Sequence, residues 1–183
     1  NVKNISNLFT SCTSITDFSF LEKCDFSEIT NMQSLFQNCT GVTSLDLSKW
    51  NVSKVTDTSN MFSNCSSLAD IVGLEKWELN SVTNMSGMFK GCTSLKTVAL
   101  GSWNTSEVTN MASMFNGCIL SENDLKNIGV LDWDVSKCVN FAEMFSGCKN
   151  LKTLDLSNWT IKSGTHTYNS GGVNFNYFVR TCS

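Results

Sequence analysis

One nine-residue phrase recurs along the whole of this chain, and no other feature of the sequence restricts the fold as strongly. Its clearest copies are NMSGMFKGC, which begins at Asn84, and NMASMFNGC, which begins at Asn110. Seven copies occur, and they end at these cysteines: Cys12, Cys39, Cys65, Cys92, Cys118, Cys148 and Cys182. One repeat of this size cannot bury its own apolar side chains, so we expect successive repeats to stack and to share a continuous core.

The second half of each repeat has a different pattern and a variable length. Its clearest copy reads L-x-x-V-x-L-x-x-W and ends at Trp103. In every repeat but the last, the interval from the tryptophan to the cysteine that ends the next phrase is constant, as from Trp103 to Cys118. Cys24 precedes Cys39 by the same interval, so Cys24 occupies a tryptophan position. The interval from a phrase-ending cysteine to the following tryptophan position varies and is longest between Cys118 and Trp133. Insertions in repeat proteins map to loops on one face, so we expect this half to carry the variable surface.

The two halves of the repeat predict different secondary structures. The apolar residues from Met85 to Cys92 have the spacing of one face of a short helix. Asn84 is suited to capping the start of this helix, and Gly91 is suited to ending it. The L-x-x-L-x-L run of the second half alternates as a β-strand with one buried face does.

The phrases VTNMxxMFxGCxSL and LDLSxW resemble the BspA-type leucine-rich repeats, a repeat of unknown function that is common in mycoplasmas and lactobacilli. The resemblance covers residues 1–161 and 173–182. It implies an α/β repeat fold: a right-handed leucine-rich-repeat solenoid with a parallel β-sheet on one face and short helical segments on the other. Proteins of this family occur mostly on the surfaces of bacteria and some protists, where adhesion or partner binding is their usual assignment. The family supplies no catalytic residues.

We interpret residues 1–183 as a single solenoid domain of six to seven repeats. Each repeat is about 26–27 residues long, within the range of leucine-rich repeats. A polar insertion at residues 163–172 falls in the last repeat. Val2 already lies in the predicted helical half of a repeat, and Cys182 completes another. Because solenoids need polar terminal caps, we expect the chain to be a segment of a longer protein, or neighbouring subunits to cover its uncapped ends.

The composition of the chain excludes several classes of partner and chemistry. The net charge is −3, and Arg180 is the only arginine, whereas nucleic-acid binding needs clustered basic residues. No stretch approaches the ~20 apolar residues of a membrane span. The one histidine, His166, lies in the polar insertion, and the sequence has no phosphate loop and no C-x-x-C pair. We therefore expect no enzyme activity, no metal site and no cofactor.

The nine cysteines would suit a disulfide scaffold, but their positions favour burial as free thiols. Seven share one repeat position at the end of an apolar stripe, and Cys138 occupies a valine position. Disulfides between repeats need Cα atoms roughly 5.5 Å apart. Strand spacing of ~4.8 Å would permit them, whereas the ~8–10 Å spacing of packed helices would not. We therefore predict that Cys39, Cys65, Cys92 and Cys118 are buried, reduced thiols.

The tryptophans also share one repeat position, at Trp50, Trp77, Trp103, Trp133 and Trp159. A row of exposed tryptophans could stack on sugars or bases. An apolar residue two positions further on, such as Val52, favours a buried or half-buried ladder instead. We predict that the tryptophans serve in packing.

The solvent-facing side of the predicted sheet remains as the candidate binding surface. Alternation places a row of mainly small, polar and weakly acidic residues there: Ser44, Asp46, Asp70, Thr97, Asn127, Thr153 and Asp155. The row lacks the aromatic and arginine side chains that dominate the binding energy of many protein interfaces. Its acidic residues also lack the spacing of a calcium-binding loop.

Because variable loops on a rigid scaffold usually carry recognition, we predict a non-catalytic surface or adhesion module. Its partner would be a protein or a cell-surface ligand, and the family resemblance implies a cell-surface or extracellular location. The alternative is a structural subunit packed within a larger assembly, which leaves an intracellular location open.

Overall fold

The structure, a computed structural model, describes residues 2–96 and 98–160 of the 183 residues. In these ranges, β1 spans Ser44–Asp46, β2 spans Asp70–Val72, and one α-helix, α1, spans Glu122–Asn127. Three short 3₁₀-helices lie at Ser19–Lys23, Leu74–Lys76 and Val130–Asp132. The predicted insertion at residues 163–172 lies outside the described ranges.

The predicted fold class is wrong. A right-handed leucine-rich-repeat solenoid would place a parallel strand of every repeat on one face and a short helix on the other. The described residues instead contain one parallel pair of strands, β1 and β2, each only three residues long. The six described copies of the phrase predicted to be helical all form consecutive turns.

Left-handed backbone conformations prevent the predicted helices. In one phrase, Gly87 has a φ of 62° and Gly91 has a φ of 69°. The equivalent positions of the other described phrases also have positive φ: Asn7, Ser11, Ser34, Asn38, Asn60, Asn64, Ser113, Gly117, Glu143 and Gly147. Because an α-helix needs φ near about −63° at every residue, no helix can continue through these two positions. Glycine and asparagine adopt this conformation more readily than most residues, which explains their frequency here.

Two alternating sets of backbone hydrogen bonds hold each phrase together. Within a repeat, the N–H of Met88 donates to the carbonyl of Met85 at 3.2 Å and closes a turn. Between repeats, the N–H of Phe89 donates to the carbonyl of Met114 at 3.0 Å. The first residues of the phrases form parallel bridges in succession: Asn4, Asn31, Asp57, Asn84, Asn110 and Asn140. Backbone donors are therefore satisfied alternately within and between repeats, without a helix or a continuous sheet.

The predicted continuous core is confirmed. Met85, Met88, Phe89 and Cys92 have no exposed surface, and they belong to one hydrophobic cluster with their counterparts in neighbouring repeats. Consecutive four-residue turns bring positions i, i+3, i+4 and i+7 to the same side, as an α-helix also does. The spacing of apolar residues therefore identified the buried side chains correctly but did not distinguish turns from a helix.

Two columns of stacked aromatic rings run through this core. The rings of one column have centroids 5.6–5.9 Å apart: Phe9, Phe36, Phe62, Phe89, Phe115 and Phe145. The other column has centroids 6.0–6.4 Å apart: Trp50, Trp77, Trp103 and Trp133. These tryptophans and Trp159 are buried, so the prediction that the tryptophans pack in the core is confirmed.

The repeat between Cys118 and Trp133 is lengthened by an insertion and contains α1. Ser121 accepts a hydrogen bond from the backbone N–H of Asp124, and the Asp124 carboxylate accepts one from the N–H of Ser121. This reciprocal capping box satisfies backbone donors at the start of α1. The extra residues therefore form a short helix that apolar alternation did not predict.

Replacing Phe89 with alanine should lower the free energy of unfolding by about 3–5 kcal/mol, because it leaves a cavity in a fully buried column. The ring lies between those of Phe62 and Phe115, at 5.6 and 5.7 Å. Urea denaturation monitored by tryptophan fluorescence measures the change. Lys96→Ala, at an exposed position, should change stability by less than about 0.5 kcal/mol. Similar values for the two variants would show that the phenylalanine column does not support the fold.

Candidate functional site

Three residues of the predicted binding row lie together on β1 and β2. Ser44 is opposite Asp70 in the register of the two strands, and Asp46 is opposite Val72. Ser44 and Asp46 are exposed, Asp70 is partly buried, and Leu45 between the two exposed residues points into the core. We call Ser44, Asp46, Asp70 and Val72 the β1–β2 patch.

Val72 adds an apolar group to the β1–β2 patch. It is 47% exposed, although valine is a residue that usually lies in the core. Its position opposite Asp46 places an exposed apolar side chain beside a carboxylate. The patch can therefore offer a partner both an apolar contact and an acidic hydrogen-bond acceptor.

Hydrogen bonds from Ser48 stabilise the charged form of the Asp46 carboxylate. The Ser48 side chain contributes most, and its backbone N–H donates to Oδ1 of Asp46 at 2.9 Å. Both bonds favour the ionised form and lower the pKa of Asp46. The β1–β2 patch therefore carries a negative charge at Asp46 at neutral pH.

Two further predicted residues are joined by Glu122, which sequence analysis missed. The hydroxyl of Thr153 donates to the Glu122 carboxylate, and the backbone N–H of Asp155 donates to its Oε1 at 3.2 Å. The pKa of Asp155 is lowered, first by the backbone N–H of Ser157 and then by its side chain. Glu122 is the first residue of α1, so the capping pattern S-x-x-D at residues 121–124 was the available signal.

The predicted row is therefore not the face of one continuous sheet. Asn127 is exposed, but it is the last residue of α1 and does not belong to a strand. Thr97 lies outside the described residues. Thr153 and Asp155 also lie outside a strand, so Ser44, Asp46 and Asp70 are the row members that β1 and β2 bring together.

The described ranges show neither a metal-binding cluster nor a membrane-spanning helix. Across residues 2–96 and 98–160, no three histidine, cysteine, aspartate or glutamate side chains lie together so as to hold a metal ion. Over the same residues, no helix has the length and apolar character needed to cross a membrane.

The cysteines form a ladder of thiol hydrogen bonds between repeats. The thiol of Cys39 donates to the carbonyl of Phe9 at 3.0 Å, and that of Cys65 donates to the carbonyl of Phe36 at 3.0 Å. The same bond, at 3.1–3.2 Å, joins Cys92 to Phe62, Cys118 to Phe89 and Cys148 to Phe115. Each thiol therefore links its own repeat to the phenylalanine of the preceding one.

The prediction of buried free thiols is confirmed for Cys39, Cys65, Cys92 and Cys118. Burial raises the pKa of Cys39 to about 11 and that of Cys65 to about 12, and it also raises the pKa values of Cys92 and Cys118. Because the thiolate is the reactive form, these cysteines are structural and are not suited to nucleophilic chemistry. Cys24, in the tryptophan position, is exposed.

A comparison with known families identifies one family along most of the chain. A family model described as "Mycoplasma protein of unknown function, DUF285" matches residues 1–73 and 69–171. No curated protein matches the chain. The family match confirms the part of the resemblance that concerns a mycoplasma repeat of unknown function.

Raising the pH from 9 toward 12 under reducing conditions should weaken the fold through Cys65. The unfolded thiol loses its proton near pH 9, whereas the folded thiol, with its pKa raised to about 12, retains it. The contribution of Cys65 to stability is therefore complete below pH 9 and is lost as the pH rises toward 12. Urea denaturation across this pH range should show that the free energy of unfolding falls more steeply with pH for the parent chain than for Cys65→Ala. Equal slopes for the two proteins would contradict the assignment.

Alkylation by N-ethylmaleimide under native, reducing conditions should modify Cys24 rapidly and Cys39, Cys65, Cys92 and Cys118 slowly, because only the first of these thiols is exposed. Mass spectrometry of the digested protein gives the rate for each site. Addition of urea should remove the difference. Rapid native labelling of the four buried thiols would show that the core opens readily.

Proposed function

Because this chain belongs to DUF285, a family of Mycoplasma proteins of unknown function, we propose its function from its own surface: it is a non-catalytic module that binds a protein or a cell-surface ligand. The β1–β2 patch is the proposed contact surface. The observation that carries the proposal is the exposed Val72 beside the charged Asp46, on strands whose intervening residues are anchored in the core.

The anchoring of β1 and β2 supports a role in recognition. Leu45 and Ile71 are buried between the exposed residues of their strands, so the backbone under the patch is held by the core. A surface that is already ordered loses little conformational entropy on binding. The β1–β2 patch therefore needs no rearrangement to meet a partner.

The chemistry of the patch indicates what a partner must supply. An apolar side chain of the partner would cover Val72, and a hydrogen-bond donor or a cation would meet the Asp46 carboxylate. Charge complementarity of this kind contributes to specificity and to the rate of association. We therefore propose a partner surface with an apolar centre and basic or donor groups around it.

The sequence phrases support a location at the cell surface or outside the cell. VTNMxxMFxGCxSL and LDLSxW are similar to BspA-type repeats, which occur mostly in surface proteins. We propose that this binding serves in adhesion. The buried thiols support a non-catalytic role, because their raised pKa values leave little thiolate available.

Replacing Val72 with serine should weaken binding about tenfold or more, which corresponds to about 1.4 kcal/mol. Val139→Ser is the matched control, because Val139 is 49% exposed and lies outside the patch. Binding of the fluorescently labelled chain would be measured on cultured epithelial cells and on immobilised extracellular-matrix proteins. Both variants should retain the parental melting temperature within about two degrees, since surface substitutions have small effects on stability.

Two results would contradict the proposal. Saturable binding that is unchanged in Val72→Ser, or equally reduced in Val139→Ser, would place the contact elsewhere. Absence of saturable binding, together with concentration-dependent self-association in analytical ultracentrifugation, would favour the alternative function as a structural subunit of a larger assembly.

A further inference from the structure

Cys12 and Cys39 end two successive phrases whose backbones are joined as neighbouring strands are. The two phrases begin with a parallel bridge. Directly before Cys12, the N–H of Ser11 donates to the carbonyl of Gln37 at 2.7 Å, so the contact extends to the ends of the phrases. Neighbouring strands lie about 4.7–4.9 Å apart, and disulfides join Cα atoms about 4.4–6.8 Å apart. The spacing of these two phrases therefore permits a disulfide.

One carbonyl group holds the Cys39 thiol close to the backbone of Cys12. The carbonyl of Phe9 accepts a hydrogen bond from the N–H of Cys12 at 3.1 Å and another from the thiol of Cys39 at 3.0 Å. The rings of Phe9 and Phe36 stack with centroids 5.7 Å apart, which is the regular separation of the phenylalanine column. The two cysteines therefore belong to phrases that are in register and in contact.

A disulfide between these cysteines would leave no buried acceptor without a partner. Oxidation removes the S–H of Cys39, but the carbonyl of Phe9 retains the hydrogen bond from the N–H of Cys12. A thiol is only a weak donor, so the loss of its bond is a small cost to the fold.

Cys12 is also accessible to an oxidant from solution. It is half-buried, whereas the other phrase-ending cysteines of the described ranges are buried: Cys39, Cys65, Cys92, Cys118 and Cys148. Cys39 and Cys65 are related in the same way, through the carbonyl of Phe36, but neither has any exposed surface. Among these cysteines, the pair of Cys12 and Cys39 therefore combines proximity with a thiol that a reagent can reach.

We propose that Cys12 and Cys39 form a redox-sensitive clamp, which a low-molecular-weight disulfide such as oxidised glutathione closes. The Cys12 thiolate attacks the glutathione disulfide, forms a mixed disulfide and releases one glutathione thiolate. The Cys39 thiolate then attacks the sulfur of Cys12, forms the Cys12–Cys39 disulfide and releases the second glutathione thiolate. The two cysteines lose two electrons and two protons, and one glutathione disulfide becomes two glutathione thiols. Neither cysteine belongs to the β1–β2 patch, so the clamp goes beyond the proposed function and is independent of it.

The buried thiol of Cys39 sets the rate at which the clamp closes. Burial raises the pKa of Cys39 to about 11, so its thiolate is scarce at neutral pH and is unsuited to attack on a substrate in solution. In the mixed disulfide, however, the target sulfur is held on the adjacent phrase, and such an intramolecular step compensates for a low concentration of the reactive form. A thiol of higher pKa is also a stronger nucleophile once it is ionised. Closure should therefore be slow at neutral pH and faster as the pH rises.

Peptide mapping of the folded, full-length chain tests this reaction. Cys24→Ser is the starting protein, because it removes an exposed thiol that lies outside the clamp. Trypsin cleaves after Lys23, so a Cys12–Cys39 disulfide joins two peptides in an unreduced digest. During incubation with oxidised glutathione, mass spectrometry should show a glutathione adduct at Cys12 first and the joined peptides later. Between pH 7 and 9, the rate of this conversion should rise about tenfold for each pH unit, as the thiolate fraction of Cys39 does.

Cys39→Ser in the same background separates the two steps. This variant should acquire the glutathione adduct at Cys12 at the parental rate and keep it, because the second thiol is missing. Circular dichroism would verify that the variant is folded. The measurements on the starting protein do not depend on this variant.

Hydrogen–deuterium exchange shows whether the disulfide acts as a clamp. Closure should slow the exchange of amides in residues 5–12 by about threefold or more, because the two phrases can then separate less readily. Addition of dithiothreitol should restore the original exchange rate. Amides in residues 110–118, which are distant along the chain, are the internal control and should exchange at the same rate in both states.

Three results would overturn the proposal. The first is a glutathione adduct at Cys12 that persists at pH 9 without conversion to the disulfide, or the absence of any reaction at Cys12. The second is a Cys12–Cys39 disulfide that forms only in urea, because the two thiols would then not be placed for reaction in the folded chain. The third is an unchanged exchange rate in residues 5–12 after closure, which would show that the disulfide does not hold the two phrases together.

Discussion

The backbone hydrogen bonds between repeats are the interaction on which the rest of this structure depends. They form because two residues of each phrase adopt a left-handed conformation, which turns alternate N–H groups toward the next repeat, as at Gly87 and Phe89. Once these bonds set the separation of the repeats, equivalent phenylalanines stack 5.6–5.9 Å apart. The thiol of Cys92 also comes within hydrogen-bond distance of the preceding repeat, at Phe62.

The chemically distinctive places of the molecule lie where this regularity is interrupted. A regular repeat buries its apolar side chains and pairs its indole N–H, so it leaves little with which a ligand could interact. Where Cys24 stands in a tryptophan position, the buried Trp50 Nε1 in the next repeat has no acceptor among the described residues. The insertion that forms α1 brings Glu122 to Thr153 and Asp155. Departures from the repeat therefore create polar contacts that the regular repeat does not contain.

The core of this protein was more predictable from its sequence than were its secondary structure and its binding row. Burial of Met88, Phe89 and the tryptophans followed from their recurrence, because a position that is apolar in every repeat faces the same environment each time. The helix prediction failed because apolar spacing is shared by a helix and by consecutive turns. The binding row was divided because apolar alternation does not show which extended segments pair into strands, as at Thr153, or where a helix forms, as at Asn127.

The sequence by itself determined that the described part of the chain consists of stacked repeats, which side chains they bury and that Cys39, Cys65, Cys92 and Cys118 lie inside. These properties depend on side-chain polarity and period, which can be read directly from the sequence. Only the tertiary structure decided the turn conformation of each phrase and the grouping of the surface residues. Both depend on partners one repeat away, such as the carbonyl of Met114 for Phe89 and the carboxylate of Glu122 for Thr153. No local pattern specifies which atoms will meet across such a distance along the chain.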